Sequence, residues 1–336
     1  MKIVRYANLL LQYGCLGLAS WFAACFIYVA VLSLTYPFHL EWMEGHMIDT
    51  IQRIFDGKAI YVEPTIEFVP FIYTPLFYYV AAAVAWVTGV DFFPARLVSF
   101  LSTLGTAGIL YLWVKREGGQ WWHGLVGAGL FLATYKLSGR WFDTSRIDSL
   151  YLFVTMCGLY LLFYFRGKKY AVLTAAVFIT GFFIKQATLL SLAPALLALL
   201  FIHWRDAFRI GFVAVGLLLV SVYIADQITD GWFRYYVFEI PAGHRMDYRY
   251  ITSFWTHEML RALPVCFALI PVLLFAAWKQ GKQNIAIYFG LFGALVVSSY
   301  LMRIHYGSYL NVLIPAHACM VLFAALTLAK MQHYPK

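Results

Sequence analysis

The chain has 336 residues, of which 62% are hydrophobic and only 12% charged, against about 25% charge in a soluble domain. Apolar runs of about twenty residues recur along it, each long enough to cross roughly 30 Å of hydrocarbon, so a single small soluble core is excluded. The formal charge of +9 comes from basic residues scattered between these runs, a pattern that excludes a nucleic-acid-binding face.

In chain order, Lys2 and Arg5 precede the first apolar run, 9–36. It is too long for the hydrophobic region of a signal peptide and lacks a clear cleavage site, so it reads as a retained first span. Further spans are expected at 93–114, 121–137, 148–165, 170–184, 187–203, 209–227, 255–278, 284–301 and 309–329. Pro75 to Val90 is also apolar, but a crossing there would invert every later loop, so it reads as an interfacial or re-entrant helix of the first loop. Left uncrossed, it puts Lys115-Arg116, Arg166 with Lys168-Lys169, Arg205 with Arg209, Lys279 with Lys282, and Lys330 on the side of Lys2 and Arg5, as the positive-inside rule requires.

The expected fold is therefore all-α and integral to the membrane, with about ten transmembrane helices in one polytopic domain over 1–336. Helix is required because lipid offers no partner to the backbone. Both termini face the cytoplasm, and the protein sits as a multi-pass chain in the cell's inner membrane. Of the 16 acids, only Glu117 and Asp206 fall on the cytoplasmic side. The acidic extracytoplasmic loops are 37–92, 138–147 and 228–254. The five cysteines lie in apolar segments without CxxC spacing and read as packing residues.

The first of these loops opens with Glu41-Trp42-Met43-Glu44-Gly45-His46. Met47, Ile51, Ile54 and Phe55 then fall at helical spacing, which predicts an amphipathic helix lying on the bilayer surface and ending at Gly57. Glu44 at its N-terminus has two readings: a carboxylate poised for chemistry, or an acid that favours the helix dipole. Tyr61, Pro64, Pro70 and Pro75 then mark turns and a helix start at the interface.

Before the fourth span, Asp143, Arg146 and Asp148 crowd the outer rim. They could pair and cap locally, or face the first-loop acid across a cavity. Lys185, between two short apolar segments, either snorkels to the interface or meets a lipid phosphate as a compact cation. Arg303 and His305 reach the same side; His244 and Arg245 are weaker candidates.

Taken together, these motifs resemble the GT-C fold glycosyltransferases, specifically the bacterial relatives of protein O-mannosyltransferases and of the lipid A aminoarabinose transferase. Glu44-Gly45, Gly57-Lys58-Ala59-Ile60-Tyr61 and Tyr73-Thr74-Pro75-Leu76 are similar to that family's first-loop motifs. Arg146-Ile147-Asp148-Ser149-Leu150 looks like its Arg-x-Asp-Ser-Leu element, and Lys185-Gln186 like its Lys-Gln element. Arg303 to Asn311 resembles its Arg-x-x-x-Gly-x-x-x-Asn pattern. Two departures stand out. Met43-Glu44 occupies the place where many members have Asp-Glu, so the acid role falls on Glu44 alone or is shared with Glu41. The chain is also short beside relatives that carry more spans or a C-terminal domain.

The resemblance implies an enzyme: an inverting glycosyltransferase that moves a sugar from a polyprenyl-phosphate carrier to an acceptor hydroxyl outside the cytoplasm. The acceptor would be a glycan, lipid or protein, with membrane lipids as the other partners and no nucleic acid. Glu44 would be the general base, while Lys185, Arg303 and His305 would hold the lipid phosphate. Asp143, Arg146, Asp148 and His46 would position the acceptor, or a divalent metal ion would sit on Glu44, Asp143 and Asp148. The rival class is a transporter or lipid-sugar flippase using Lys185, Asp143 and Asp148 as an ion path. Such proteins show internal repeats, and no repeated halves are visible here.

Overall fold

A computed structural model describes residues 2–331 of the chain. Among them the fold is helical, and the one β-type pairing is an isolated antiparallel bridge between Met246 and His305. The helices are α1 (Lys2–Leu34), α2 (Glu44–Phe55), α3 (Leu76–Thr88), α4 (Phe92–Arg116), α5 (Trp121–Ala133), α6 (Asp148–Tyr164), α7 (Lys168–Ile184) and α8 (Thr188–Gln227). Shorter pieces follow, and then the helices Pro264–Gln280, Lys282–Phe292 and Ile314–Met331.

Among the described residues, five helices are long and apolar enough to cross a membrane, and six if one bent pair counts as a span. The protein therefore has a multi-pass membrane architecture, although several expected spans form shorter helices. Leu310–Met331 is the axis, with 94% of its apolar window buried, while α1 is an outer helix with 17% buried. Leu10, Leu18, Trp21, Tyr28 and Leu32 of α1 are exposed, as suits a lipid-facing surface. Gly129 of α5 makes the close approach of α1 and α5 possible: a Cβ there would lie 2.6 Å from the Ala19 carbonyl oxygen.

Two expectations change in detail. The runs 187–203 and 209–227 form one helix, α8, broken at His203, whose backbone leaves helical geometry. No loop separates them; the corner is closed by Asp206, which meets Arg209 Nη1 at 2.9 Å and His203 Nδ1 at 3.3 Å and accepts the Gly167 N–H at 3.3 Å. The span expected at 255–278 is divided, because the helix Pro264–Gln280 begins on a proline and meets the preceding segment at 92°. Pro75 to Val90 yields α3, whose 13 residues reach only about 20 Å at 1.5 Å per residue.

The first-loop helix forms as its spacing predicts. Met47 and Ile51 are fully buried and cluster with Tyr78, Ala81 and Ala82 of α3, and the chain turns at Gly57 with φ +69°, a conformation that favours glycine. At the end of the bundle carrying the α4–α5 turn, Glu117 accepts hydrogen bonds from the Tyr164 and Tyr288 hydroxyls and lies 3.5 Å from Lys330 Nζ. This polar staple ties four helices together at the end away from the first loop.

Candidate functional site

Two polar clusters join the first loop to the bundle. The first is built on Arg96 of α4, which sequence reading passed over as one charge in an apolar run. Arg96 is fully buried. It donates to the backbone carbonyls of Ser33 (2.8 Å), Tyr36 (2.6 Å) and Phe38 (2.7 Å) and meets Glu44 through Nε (3.1 Å) and Nη2 (2.7 Å). Glu44 Oε1 also accepts the Ser145 N–H at 2.6 Å, and Oε2 accepts the Leu40 N–H at 2.6 Å.

Each Glu44 oxygen thus has two donors, and the side chain is fully buried. Burial pushes its carboxyl up, but the Arg96 hydrogen bonds and charge, with the Ser145 and Leu40 N–H groups, outweigh this and hold it below the usual range. The sequence reading expected a general base at Glu44. A base must come within hydrogen-bond reach of the proton it takes, whereas Glu44 points into the protein and locks the end of α1, the start of α2 and the 138–147 loop onto α4.

Asp143 lies behind the same lock. It is fully buried; the Tyr135 and Ser33 hydroxyls are its polar neighbours, and burial holds its pKa up. Asp143 therefore does not face an acceptor. A carboxyl with a raised folded pKa contributes its stability below the ordinary carboxylate range and loses it as pH rises through the raised value. Asp143→Asn should accordingly leave the thermal midpoint at pH 8 equal to or above that of the unsubstituted protein. A fall of several degrees there would show that the carboxylate is needed ionised.

The second cluster lines a cavity of about 650 Å³. Its wall joins Trp42, Met43 and Tyr73 of the first loop to Arg146, to Lys185 and Gln186 at the α7–α8 junction, to His244, and to His305 and Asn311 near the C-terminal helix. Behind the wall, Asp148 Oδ1 accepts from Lys185 Nζ at 2.6 Å and from Asn311 Nδ2 at 2.9 Å, while its Oδ2 lies 3.9 Å from Arg146 Nε. Arg146 also donates to the Tyr73 hydroxyl at 3.2 Å and lies over the Trp141 ring at 4.8 Å. Gln186 anchors the junction by donating to the carbonyls of Ile72 (2.6 Å) and Val237 (3.1 Å). Asp148 is thus the buried anion that sets two cations and an amide at the cavity wall, and it does not face Glu44 as the sequence suggested.

Two other candidates lie elsewhere. His46 is half-buried against Phe68 and Phe71, with ring centroids at 5.4 and 4.2 Å, where it packs the 57–75 segment onto α2. Arg303 is buried and paired with Glu258, its Nη2 2.5 Å from Oε1, and lies over the Tyr250 ring. It also donates to the Ser308 carbonyl at 2.8 Å, so its charge is taken and its work is to fold the 303–308 loop. Among the described residues, no three His, Cys, Asp or Glu side chains converge to hold a metal ion. Glu44 is held by Arg96, Asp143 is buried beside Tyr135 and Ser33, and Asp148 is held by Lys185 and Asn311.

Residues 70–226 match the model of the dolichyl-phosphate-mannose-protein mannosyltransferase family. The fold matches ArnT from Cupriavidus metallidurans bound to undecaprenyl phosphate, with TM-score 0.68 and 15% identity over 95% of this chain and 61% of that one. It matches ArnT in the apo state with TM-score 0.67 and 16% identity, over 95% and 60% of the two chains. The chain spans about three fifths of the length of these structures. No curated protein matches it by sequence.

Proposed function

We propose that the chain is an inverting glycosyltransferase of the extracytoplasmic face, which takes a sugar from a polyprenyl-phosphate carrier and passes it to an acceptor hydroxyl. The observation that carries this reading is the cavity wall on which Asp148 holds Lys185 beside Arg146. One of the three ammonium donors of Lys185 is used by Asp148, leaving two for a ligand. A lipid phosphate anion placed there gains charge-assisted hydrogen bonds from a lysine and a guanidinium. The family match over 70–226 and the fold shared with ArnT, whose structure holds undecaprenyl phosphate, support the same donor class.

In this reading the acceptor oxygen attacks the anomeric carbon from the face opposite the lipid phosphate, and the bond to the phosphate oxygen breaks. Negative charge grows on the departing phosphate, and Lys185 and Arg146 stabilise it most where water is excluded. A single displacement inverts the anomeric centre. The test is to incubate the purified protein with a panel of undecaprenyl-phosphate-linked hexoses and pentoses and to follow release of undecaprenyl phosphate. Release from one donor above the protein-free control is expected. Release from none, with no binding of undecaprenyl phosphate, would remove the reading.

A further inference from the structure

The transfer leaves a proton to be placed, because the acceptor hydroxyl must lose it as the new bond forms. No carboxylate lines the cavity. Glu44 is saturated, as shown above. Glu41, the other first-loop acid, does not line the cavity; it accepts the Met43 N–H at 3.1 Å and lies 3.6 Å from Arg146 Nη1, with its second oxygen buried. The titratable side chains at the wall are Arg146, Lys185, three tyrosines (Tyr73, Tyr306 and Tyr309), His244 and His305. Guanidinium and ammonium groups have no lone pair to offer, and phenols donate more readily than they accept a proton. A neutral imidazole is the side chain suited to take one.

The backbone gives the two histidines a common face. Tyr306 N–H donates to the Arg245 carbonyl at 2.8 Å and Asp247 N–H to the Ile304 carbonyl at 2.6 Å, so Met246 and His305 oppose each other as a narrow, non-hydrogen-bonded pair. With a side-chain period of two, residues 244 and 246 share the face of residue 305, and both His244 and His305 line the cavity. The loop bearing His305 is also fixed: Arg303 holds the Ser308 carbonyl at 2.8 Å, and the Ser308 hydroxyl donates back to the Arg303 carbonyl at 2.7 Å. Neighbouring charges on this bridge are spent on one another, Asp247 with Arg249 at 2.6 Å and Arg303 with Glu258. Of the two imidazoles, His305 sits on the pinned loop, six residues before the cavity-wall Asn311.

We propose that His305 is the general base of the transfer, with His244 beside it on the same face. This deepens the transferase reading above and rests on it. The acceptor oxygen bonds to the anomeric carbon, the carbon–phosphate-oxygen bond breaks with its electron pair going to the lipid phosphate, and the hydroxyl proton passes to the free ring nitrogen of His305. The imidazolium then releases that proton to water. Arg303 is a positioning residue in this scheme, and Glu44 a structural anchor.

The test uses the full chain in nanodiscs and the sugar donor that the unsubstituted protein turns over in the panel above. His305→Ala and His305→Asn should each lower kcat about 100-fold, the lower end of what general-base catalysis contributes, with the donor KM within about threefold of the unsubstituted value. Added imidazole should restore His305→Ala, whose truncation leaves room for it, and not His305→Asn. Unchanged kcat in either variant would overturn the proposal, as would a loss without imidazole rescue or a loss in which donor KM rises in step. Failure of the unsubstituted protein to turn over any donor would instead remove the transferase reading itself.

Discussion

Glu44→Gln is expected to destabilise the protein by about 3–5 kcal/mol, the cost of breaking a buried ion pair by removing one partner. The geometry explains why an isosteric change costs so much. Both carboxylate oxygens face only donors, from Arg96, Ser145 and Leu40, so the amide of Gln would turn an N–H against one of them and leave the Arg96 charge uncompensated. Thermal unfolding in detergent should show the midpoint falling by more than about 5 °C. Replacing both partners, Glu44→Met with Arg96→Met, should cost less than the sum of the single changes, since apolar pairs of similar volume often substitute for buried ion pairs. Because the folded Glu44 pKa is lowered, its contribution is present above the ordinary carboxylate range and fades as pH falls through the folded value. The Gln variant should therefore lose its deficit in acid. A Glu44→Gln protein with unchanged midpoint and abolished turnover would return Glu44 to the catalytic role.

Much of this was legible in the sequence. The spacing of Met47, Ile51 and Ile54 marked α2, and Gly57 marked its end, because an amphipathic face and a left-handed turn are local properties. The elements Arg146 to Leu150, Lys185-Gln186 and Arg303 to Asn311 were singled out together, and Asp148, Lys185 and Asn311 do meet. Their pairing was not legible. Asp148 and Lys185 are 37 residues apart and Asp148 and Asn311 are 163 apart, and only the packing of α6, α7 and the C-terminal segment decides that they face each other. Arg96 was invisible for a related reason: an arginine near the end of an apolar run reads as a rim charge until its partners, three carbonyls and Glu44, are brought round it by the turn after α1. The available signal was its depth, four residues inside α4, where an unpaired charge is costly. The Arg303–Glu258 pair was not legible because Glu258 lay in a stretch read as a membrane span, and the bend before Pro264 brings that acid to the loop.

The second large effect concerns Lys185. Its ammonium is placed by Asp148 at 2.6 Å and lies 5.4 Å from the centre of the Tyr151 ring, so its position is set before any ligand arrives. A charged hydrogen bond of this kind contributes about 1.5–3 kcal/mol, which corresponds to roughly ten- to more than hundredfold in affinity. Arg146 shares the anion, so the loss should be large and not total. Methionine keeps the length and apolar stem of lysine while removing the charge, at the cost of leaving Asp148 with Asn311 and Arg146 as its neighbours; a thermal scan of the same sample separates that structural cost from the loss of binding.

The most direct measurement is the equilibrium affinity of undecaprenyl phosphate for the protein in nanodiscs, compared with Lys185→Met. Saturable binding is expected, weakened at least about tenfold in the variant while undecaprenol, which lacks the phosphate, binds neither form tightly. Equal affinity of both proteins for the phosphate, or equal affinity for the alcohol, would contradict a phosphate site at Lys185.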